Sequence, residues 1–402
     1  MNLTRRNLLA LTGGGLVPFA PGLNMAFSAS ASPQTNVLVV IFLRFGMDGL
    51  QLVAPADDAG YRDRRRNIGL RINSGAQSAR PLGTLGGTQF FLHPQAGQLK
   101  QMFDNKSLAV VHAAGVPTGL RSHFEVQEMA DKGGADNDHA LNSGWLARHL
   151  AVSGATGDFA ATADSTTSTS SLNGAAGILP TGILQTLGLW VTTERAALIS
   201  TLNAGDSESE RSARKTLAAI ALMRDKAPTS SSTPNPNYTY GALSQKLQPL
   251  AGVIKSNLGV QLATVDFGGW DHHENLPGLF GQQARELSDA LFAFTDDLGP
   301  EFMNRVTVVT MTEFGRRVQE NASVGTDHGA ASVMLALGAG VNGGKIYGEW
   351  PGLRDSDLDG GDLRVTTDYR QVLAELLVKR QGQAAIQNVF PTLPYRPLGL
   401  IG

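Results

Sequence analysis

The 402-residue chain contains no cysteine. Disulfides, thiolate metal sites, iron–sulfur clusters, a cysteine nucleophile and a lipidated N-terminal cysteine are therefore excluded. An excess of one charge is missing too: 33 Lys and Arg face 35 Asp and Glu, a net charge of −2. Nucleic acid and anionic membranes need a concentrated basic excess, so neither is expected as a partner. After residue 31 no apolar run approaches the roughly 18 residues of a membrane span, and no stable membrane insertion is expected. A Gly-x-Ser-x-Gly elbow is absent, which removes the ordinary serine-esterase triad. No Gly-x-Gly-x-x-Gly opens a helix after the first predicted strand, which removes a dinucleotide fold. With only eight histidines present, any metal must be held by imidazole and carboxylate.

What is present begins with an address. Thr4-Arg5-Arg6-Asn7-Leu8-Leu9 precedes a weakly apolar stretch, and Ala29-Ser30-Ala31 supplies a small-residue cleavage site. This is the layout of a twin-arginine signal peptide over 1–31, and it predicts the export machinery as a partner and a periplasmic or extracellular location. Gly13-Gly14-Gly15 and two prolines argue against an amphipathic helix of the mature fold.

Apolar runs at 37–43, 108–111, 262–265, 306–309 and 333–337 read as strands buried on both faces. Helical patterns fall between them at 94–103, 122–132, 207–226, 279–298 and 370–378. Ser122 with Glu125 has the spacing of a capping box, and Gly133-Gly134 stops that helix. Alternation of this kind predicts an α/β fold: a doubly wound, largely parallel sheet with helices on both faces. Residues 32–402 read as one such domain, enlarged by insertions near 151–181, a loop or edge subdomain, and near 203–240, where 228–236 is a Ser/Pro-rich linker.

Ligands of open parallel sheets bind beyond the carboxyl ends of the strands. The residues just past the predicted strands are Asp48, Ser122 with His123, Asp271 with His272 and His273, and Glu313; Asp327 and His328 precede the fifth strand. Oxygen and nitrogen donors gathered from separate segments suit one or two divalent cations, Zn, Mn, Mg or Ca. Alternatives remain at each place: Asp48-Gly49 is also a common turn pair, Asp327 a helix cap, and Ser122 either a cap or a hydroxyl in the helix's positive field. His93, His112, His139 and His149 read as structural, and His272 as a spare.

Taken together, the twin-arginine start, Leu43-Arg44-Phe45-Gly46-Met47-Asp48-Gly49-Leu50, Arg121-Ser122-His123-Phe124, Gly268-Gly269-Trp270-Asp271-His272-His273-Glu274-Asn275, Thr312-Glu313-Phe314-Gly315-Arg316 and Gly325-Thr326-Asp327-His328-Gly329 resemble an exported bacterial family, domain of unknown function 1501. The resemblance implies an alkaline phosphatase- and sulfatase-like fold with a metal site at the sheet's carboxyl edge. Asp48, Asp271, His273, Glu313, Asp327 and His328 would be its ligands. Ser122 would be the nucleophile, unless a water takes that role, with His123 beside it, and Arg316 or Arg121 would stabilise charge on the ester oxygens. Phe45 stands where this family usually has Gly, and Phe314 where the superfamily commonly has a ligand His. The expected activity is metal-dependent hydrolysis of a small anionic phosphate or sulfate ester. The alternative is an exported scaffold that binds a partner or an envelope polymer.

Overall fold

The computed structural model describes residues 35–402, except 74, 137–140, 154–160, 164–169, 176–177, 181–191, 239–240, 258 and all but 210, 214, 217 and 221 of 208–236. The proposed signal peptide, His139, the 228–236 linker and most of the expected 207–226 helix lie outside the described residues.

In chain order the elements are β1 (Val37–Leu43), α1 (Gly49–Leu52), β2 (Val53–Ala54), α2 (Ala59–Arg64), β3 (Arg80–Leu85), β4 (Thr88–Leu92), α3 (Gly97–Asp104), β5 (Leu108–Gly115), α4 (His123–Asp131), α5 (Trp145–Ser153), β6 (Ala161–Ala163), β7 (Ile178–Pro180), α6 (Thr193–Leu202), α7 (Ala242–Lys255), β8 (Leu262–Phe267), α8 (Leu276–Met303), β9 (Val306–Met311), β10 (Ser332–Gly338), β11 (Ile346–Tyr347), β12 (Thr367–Asp368), α9 (Tyr369–Arg380) and α10 (Ile386–Val389). The main sheet runs β11-β5-β10-β9-β1-β8-β6-β7, with β12 also on β5, and β2-β4-β3 form a small second sheet.

β1 sits centrally between β8 and β9, parallel to both. Its seven residues are all buried, as the unbroken apolar run requires. Alternate side chains serve opposite faces. Val37, Val39, Ile41 and Leu43 join a core with Leu99 of α3, Leu247 of α7 and Phe280 and Leu287 of α8. Leu38, Val40 and Phe42 join a second core with Val126 of α4, Trp145 of α5, Leu373 of α9 and Phe390. Helices therefore cover both faces, and each fully buried Leu or Phe contributes about 1.5–3 kcal/mol.

One strand departs from the parallel expectation. β10 runs antiparallel to both β5 and β9. Ser332 at its start pairs with Ala114 at the end of β5, so the loop before β10 lies at the carboxyl edge, level with the segments that leave β1, β8 and β9. The segment near 151–181 contributes β6 and β7 to one side of the sheet, next to β8. Helix α8 kinks at Gly299 (φ 61°, ψ 176°) ahead of Pro300, just beyond the expected end at Leu298. The sequence pattern predicts no element at α7, although Leu243, Leu247, Leu250, Ala251 and Ile254 form a buried helical stripe; Pro249 interrupts its reading as a helix.

Candidate metal centre

Beyond the carboxyl edge, β8 leads into Trp270, Asp271, His272 and His273, β9 into Glu313 and Arg316, and α4 opens on His123. The loop before β10 brings Asp327 and His328. Backbone packing locks these loops together: a Cβ on Gly325 would lie 2.2 Å from the carbonyl of His273, so only glycine permits that approach.

Asp271 Oδ1 is the hub. Arg316 Nη2 donates to it at 2.5 Å, and three imidazole nitrogens surround it: His273 Nε2 at 3.0 Å, His328 Nε2 at 3.3 Å and His123 Nε2 at 3.4 Å. His273 Nε2 lies 3.0 Å from His328 Nε2. The far side of each ring explains this convergence. His123 Nδ1 donates to Glu313 Oε1 at 2.8 Å, His273 Nδ1 to Asp327 Oδ1 at 3.1 Å, and His328 Nδ1 to the Arg121 carbonyl at 2.8 Å. Ionised carboxylates and carbonyls only accept, so each Nδ1 carries a proton and each ring turns its Nε2 inward. Tethering of this kind is how proteins orient metal-binding histidines.

The Arg316 guanidinium already supplies one positive charge here, with Nη2 on Asp271 Oδ1 and Nη1 3.4 Å from His273 Nε2. His123 Nε2 is buried without a hydrogen-bond partner. His123, Asp271 and His328 each offer one donor atom within 4.8 Å of the others. His273 is not part of that triad, although its Nε2 lies 3.0 Å from both Asp271 Oδ1 and His328 Nε2. His123, Asp271 and His328 therefore form a candidate three-donor site for one divalent cation.

The protonation states agree. Burial alone would raise the Asp271 pKa, but the Arg316 hydrogen bond and charge, with His273 and His123, bring it down to about 2. Burial opposes ionisation of Glu313 too, yet hydrogen bonds from His123, Gln127 and backbone N–H groups keep it below the usual range. Asp327 is lowered chiefly by its hydrogen bond from Asn321. His328 is lowered by burial, which favours the neutral ring.

Several expected ligands take other places. Asp48 is 1% exposed and fully engaged: Oδ1 caps α1 through Gln51 N, and Oδ2 accepts from Arg65 Nη1 at 2.8 Å and from Thr326 Oγ1 at 3.4 Å. It is not one of the convergent donors because that buried ion pair claims it. Glu313 holds His123, Gln127 Nε2 (2.9 Å) and Phe45 N (2.8 Å) on one oxygen, so it orients His123 and is not among the convergent donors. Asp327 does the same for His273. Arg316 is fully buried; it donates to the carbonyls of Gly46, Phe45, Trp270 and Thr326 as well as to Asp271, so it braces the hub and has no donors left for an ester. Arg121 is tied to Asp362 and to the carbonyls of Thr118 and Leu120. Ser122 occupies the N-cap position of α4 without a side-chain cap bond, and no capping box forms with Glu125. His123, expected beside the nucleophile, is one of the convergent imidazoles.

His272 turns away, packing on Trp270 and Phe280, and burial lowers its pKa to about 4. His112 is a satisfied core group, bonded to the Val53 carbonyl at 2.9 Å and to Ala113 N. Phe314 lies against His123 and His328, with ring centroids 4.8 and 5.0 Å away, and gives the imidazoles an apolar backing. Sequence reasoning missed Gln127 and Arg65. Gln127 follows His123 by four residues, the helical spacing that places both on one face; Arg65 sits in a charged run, Arg62 to Arg66, that reads as solvated surface.

No curated protein matches this chain. Among solved structures it has a distant likeness to the alkaline phosphatase of the Antarctic bacterium TAB5, at 12% identity over 78% of this chain and 95% of that one, with a TM-score of 0.28. A mutant of that phosphatase with Mg bound in its M3 site gives 12% identity, 78% and 94% coverage, and a TM-score of 0.29. The family described as "Protein of unknown function (DUF1501)" matches residues 87–369, and the chain belongs to it.

Proposed function

We propose that this chain is an exported hydrolase of phosphate or sulfate esters that works with one divalent cation. The observation that carries the reading is the convergence of three Nδ1-tethered imidazoles on Asp271. Two imidazoles and one carboxylate, with a third imidazole beside them, suit zinc better than Mg, Ca or Mn, which prefer oxygen-rich sets. When bound, such a cation supplies Lewis-acid polarisation of the ester. His123, His328 and Asp271 would hold it, with His273 beside them. Glu313, Asp327 and the Arg121 carbonyl fix the rings, and Arg316 neutralises and aims Asp271. The Ser122 hydroxyl, next to His123 and not spent on capping, is the protein's own candidate nucleophile, with water as the alternative. The Arg5-Arg6 motif supports export to the periplasm or beyond.

One observation favours the second reading, an exported binding scaffold: Arg316 spends its donors on the protein and Arg121 is paired with Asp362, leaving no unpaired arginine among the expected site residues for an ester's oxygens. The two readings separate in one experiment. Protein purified after export is assayed for metal by elemental analysis, then against chromogenic phosphate and sulfate esters with added Zn, Mn, Mg or Ca. About one metal per chain with turnover, both lost in Asp271→Ala, is expected. Stoichiometric metal without turnover overturns the hydrolase in favour of the scaffold, and absence of metal overturns the site.

A further inference from the structure

Phe45 is built against its own backbone. Its φ is 81°, a region in which a Cβ crowds the neighbouring carbonyl and which glycine occupies freely. The turn itself is required: Phe45 N donates to Glu313 Oε1 at 2.8 Å, and Arg316 Nη2 donates to the Phe45 carbonyl at 2.8 Å. Those partners orient His123 and Asp271. Every one of these bonds is made by main-chain atoms of residue 45, so a glycine would form the same turn without strain. The strain is therefore borne for the ring. Strained backbone that the surroundings over-determine clusters at functional sites.

Burial does not explain the ring, because the residue is 38% exposed. It stands edge-on to His123 with centroids 5.4 Å apart. The segment carrying Ser122 and His123 adds exposed Leu120 and Phe124. Three of the seven exposed large apolar side chains among the described residues thus come from the two segments that meet at His123. An exposed aromatic ring beside a charged centre fits a ligand with an anionic head and an apolar body.

We propose that Phe45 is a specificity residue that selects esters whose leaving group is a flat aromatic ring; this rests on the hydrolase reading. Rings pair edge-to-face or offset at about 4.5–7 Å, the relation Phe45 already has with His123. In the reaction the ester O–P or O–S bond breaks; the hydroxyl of water ends on phosphorus or sulfur, and its proton ends on the aryloxide.

The test uses two non-hydrolysable probes, phenylphosphonate and methylphosphonate, titrated calorimetrically into zinc-loaded full-length protein. Wild type is expected to prefer the phenyl compound by about ten-fold, the size of one well-placed ring pair. Phe45→Gly, which keeps the turn, should lose most of that preference, and Phe45→Tyr should retain it. If wild type binds neither phosphonate, the hydrolase reading falls and this inference with it. If it binds both and Phe45→Gly shows an unchanged preference, this inference alone falls. Loss of zinc in Phe45→Gly at normal folding would also overturn it, by making the ring part of the metal scaffold.

Discussion

Replacing Glu313 with Gln separates the orientation of a ligand from the folding of the site. Glu313 is fully buried, and its Oε1 accepts from His123 Nδ1 at 2.8 Å, Gln127 Nε2 at 2.9 Å and Phe45 N at 2.8 Å. A glutamine keeps an acceptor oxygen for all three but removes the charge. Hydrogen bonds to a charged group contribute about 1.5–3 kcal/mol and neutral ones about 0.5–1.5, so the His123 bond weakens by about 1–1.5 kcal/mol. That energy is felt by the metal through the basicity of Nε2. A loss of zinc affinity of about five- to twelve-fold is expected, at the low end of the usual range of about 10–100-fold for groups that orient ligands. The assay is competition with a chromogenic chelator, run beside urea unfolding of the metal-free protein, which should change little. Glu313→Ala is the contrast: it strands three part-buried donors at up to about 1–3 kcal/mol each, a large share of an ordinary domain's stability. Zinc affinity of Glu313→Gln within two-fold of wild type would refute the placement of His123 as a metal ligand.

Three further outcomes are expected. Burial pushes the pKa values of His93, His112 and His149 down to about 4, against about 6.5 in the unfolded chain. Between those values the unfolded chain binds up to three more protons, so stability falls as pH drops from about 6.5 to 4, by up to about 4 kcal/mol per pH unit. A urea midpoint that stays level between pH 6.5 and 5 contradicts this. Arg65→Ala leaves the Asp48 carboxylate buried and unpaired, and should destabilise by about 3–5 kcal/mol in urea titration. A loss below about 1 kcal/mol would mean the pair does not anchor the loop after β1. Ser122→Ala should shift stability by less than about 0.5 kcal/mol, since the hydroxyl makes no cap bond. A loss near the typical 1 kcal/mol of a cap, read from the thermal midpoint and urea titration, would contradict the geometry.

The sheet was legible because its central strands are unbroken apolar runs: residues 37–43 and 306–309 fall on β1 and β9. The reversed direction of β10 was not legible. Val333 to Leu337 is apolar throughout, and a strand buried on both faces carries no mark of polarity. In the site, residue types identified the neighbourhood but not the division of labour. Asp271, His273 and His328 converge as their chemistry suggests. Asp48, Glu313 and Asp327 are equally acidic in sequence, yet Arg65, Gln127 and Asn321 claim them from 17, 186 and 6 residues away. Which carboxylate joins the convergent donors and which holds an imidazole depends on partners that local pattern does not carry. Ser122 illustrates the converse: its sequence context is that of a cap, and the backbone forms the cap position without the side-chain bond.

The reversal of β10 has a consequence for how the site opens. β9 and β10 are neighbours, so the chain between them leaves and re-enters the sheet at one edge as a single excursion. Glu313, Arg316, Asp327 and His328 all ride on it, whereas Asp271 and His273 come after β8 and His123 opens α4. Amide exchange should therefore report the 312–331 excursion as one cooperative unit. A cation bridging it to the other two segments would raise their protection together, making occupancy readable as slowed exchange at residues distant in sequence.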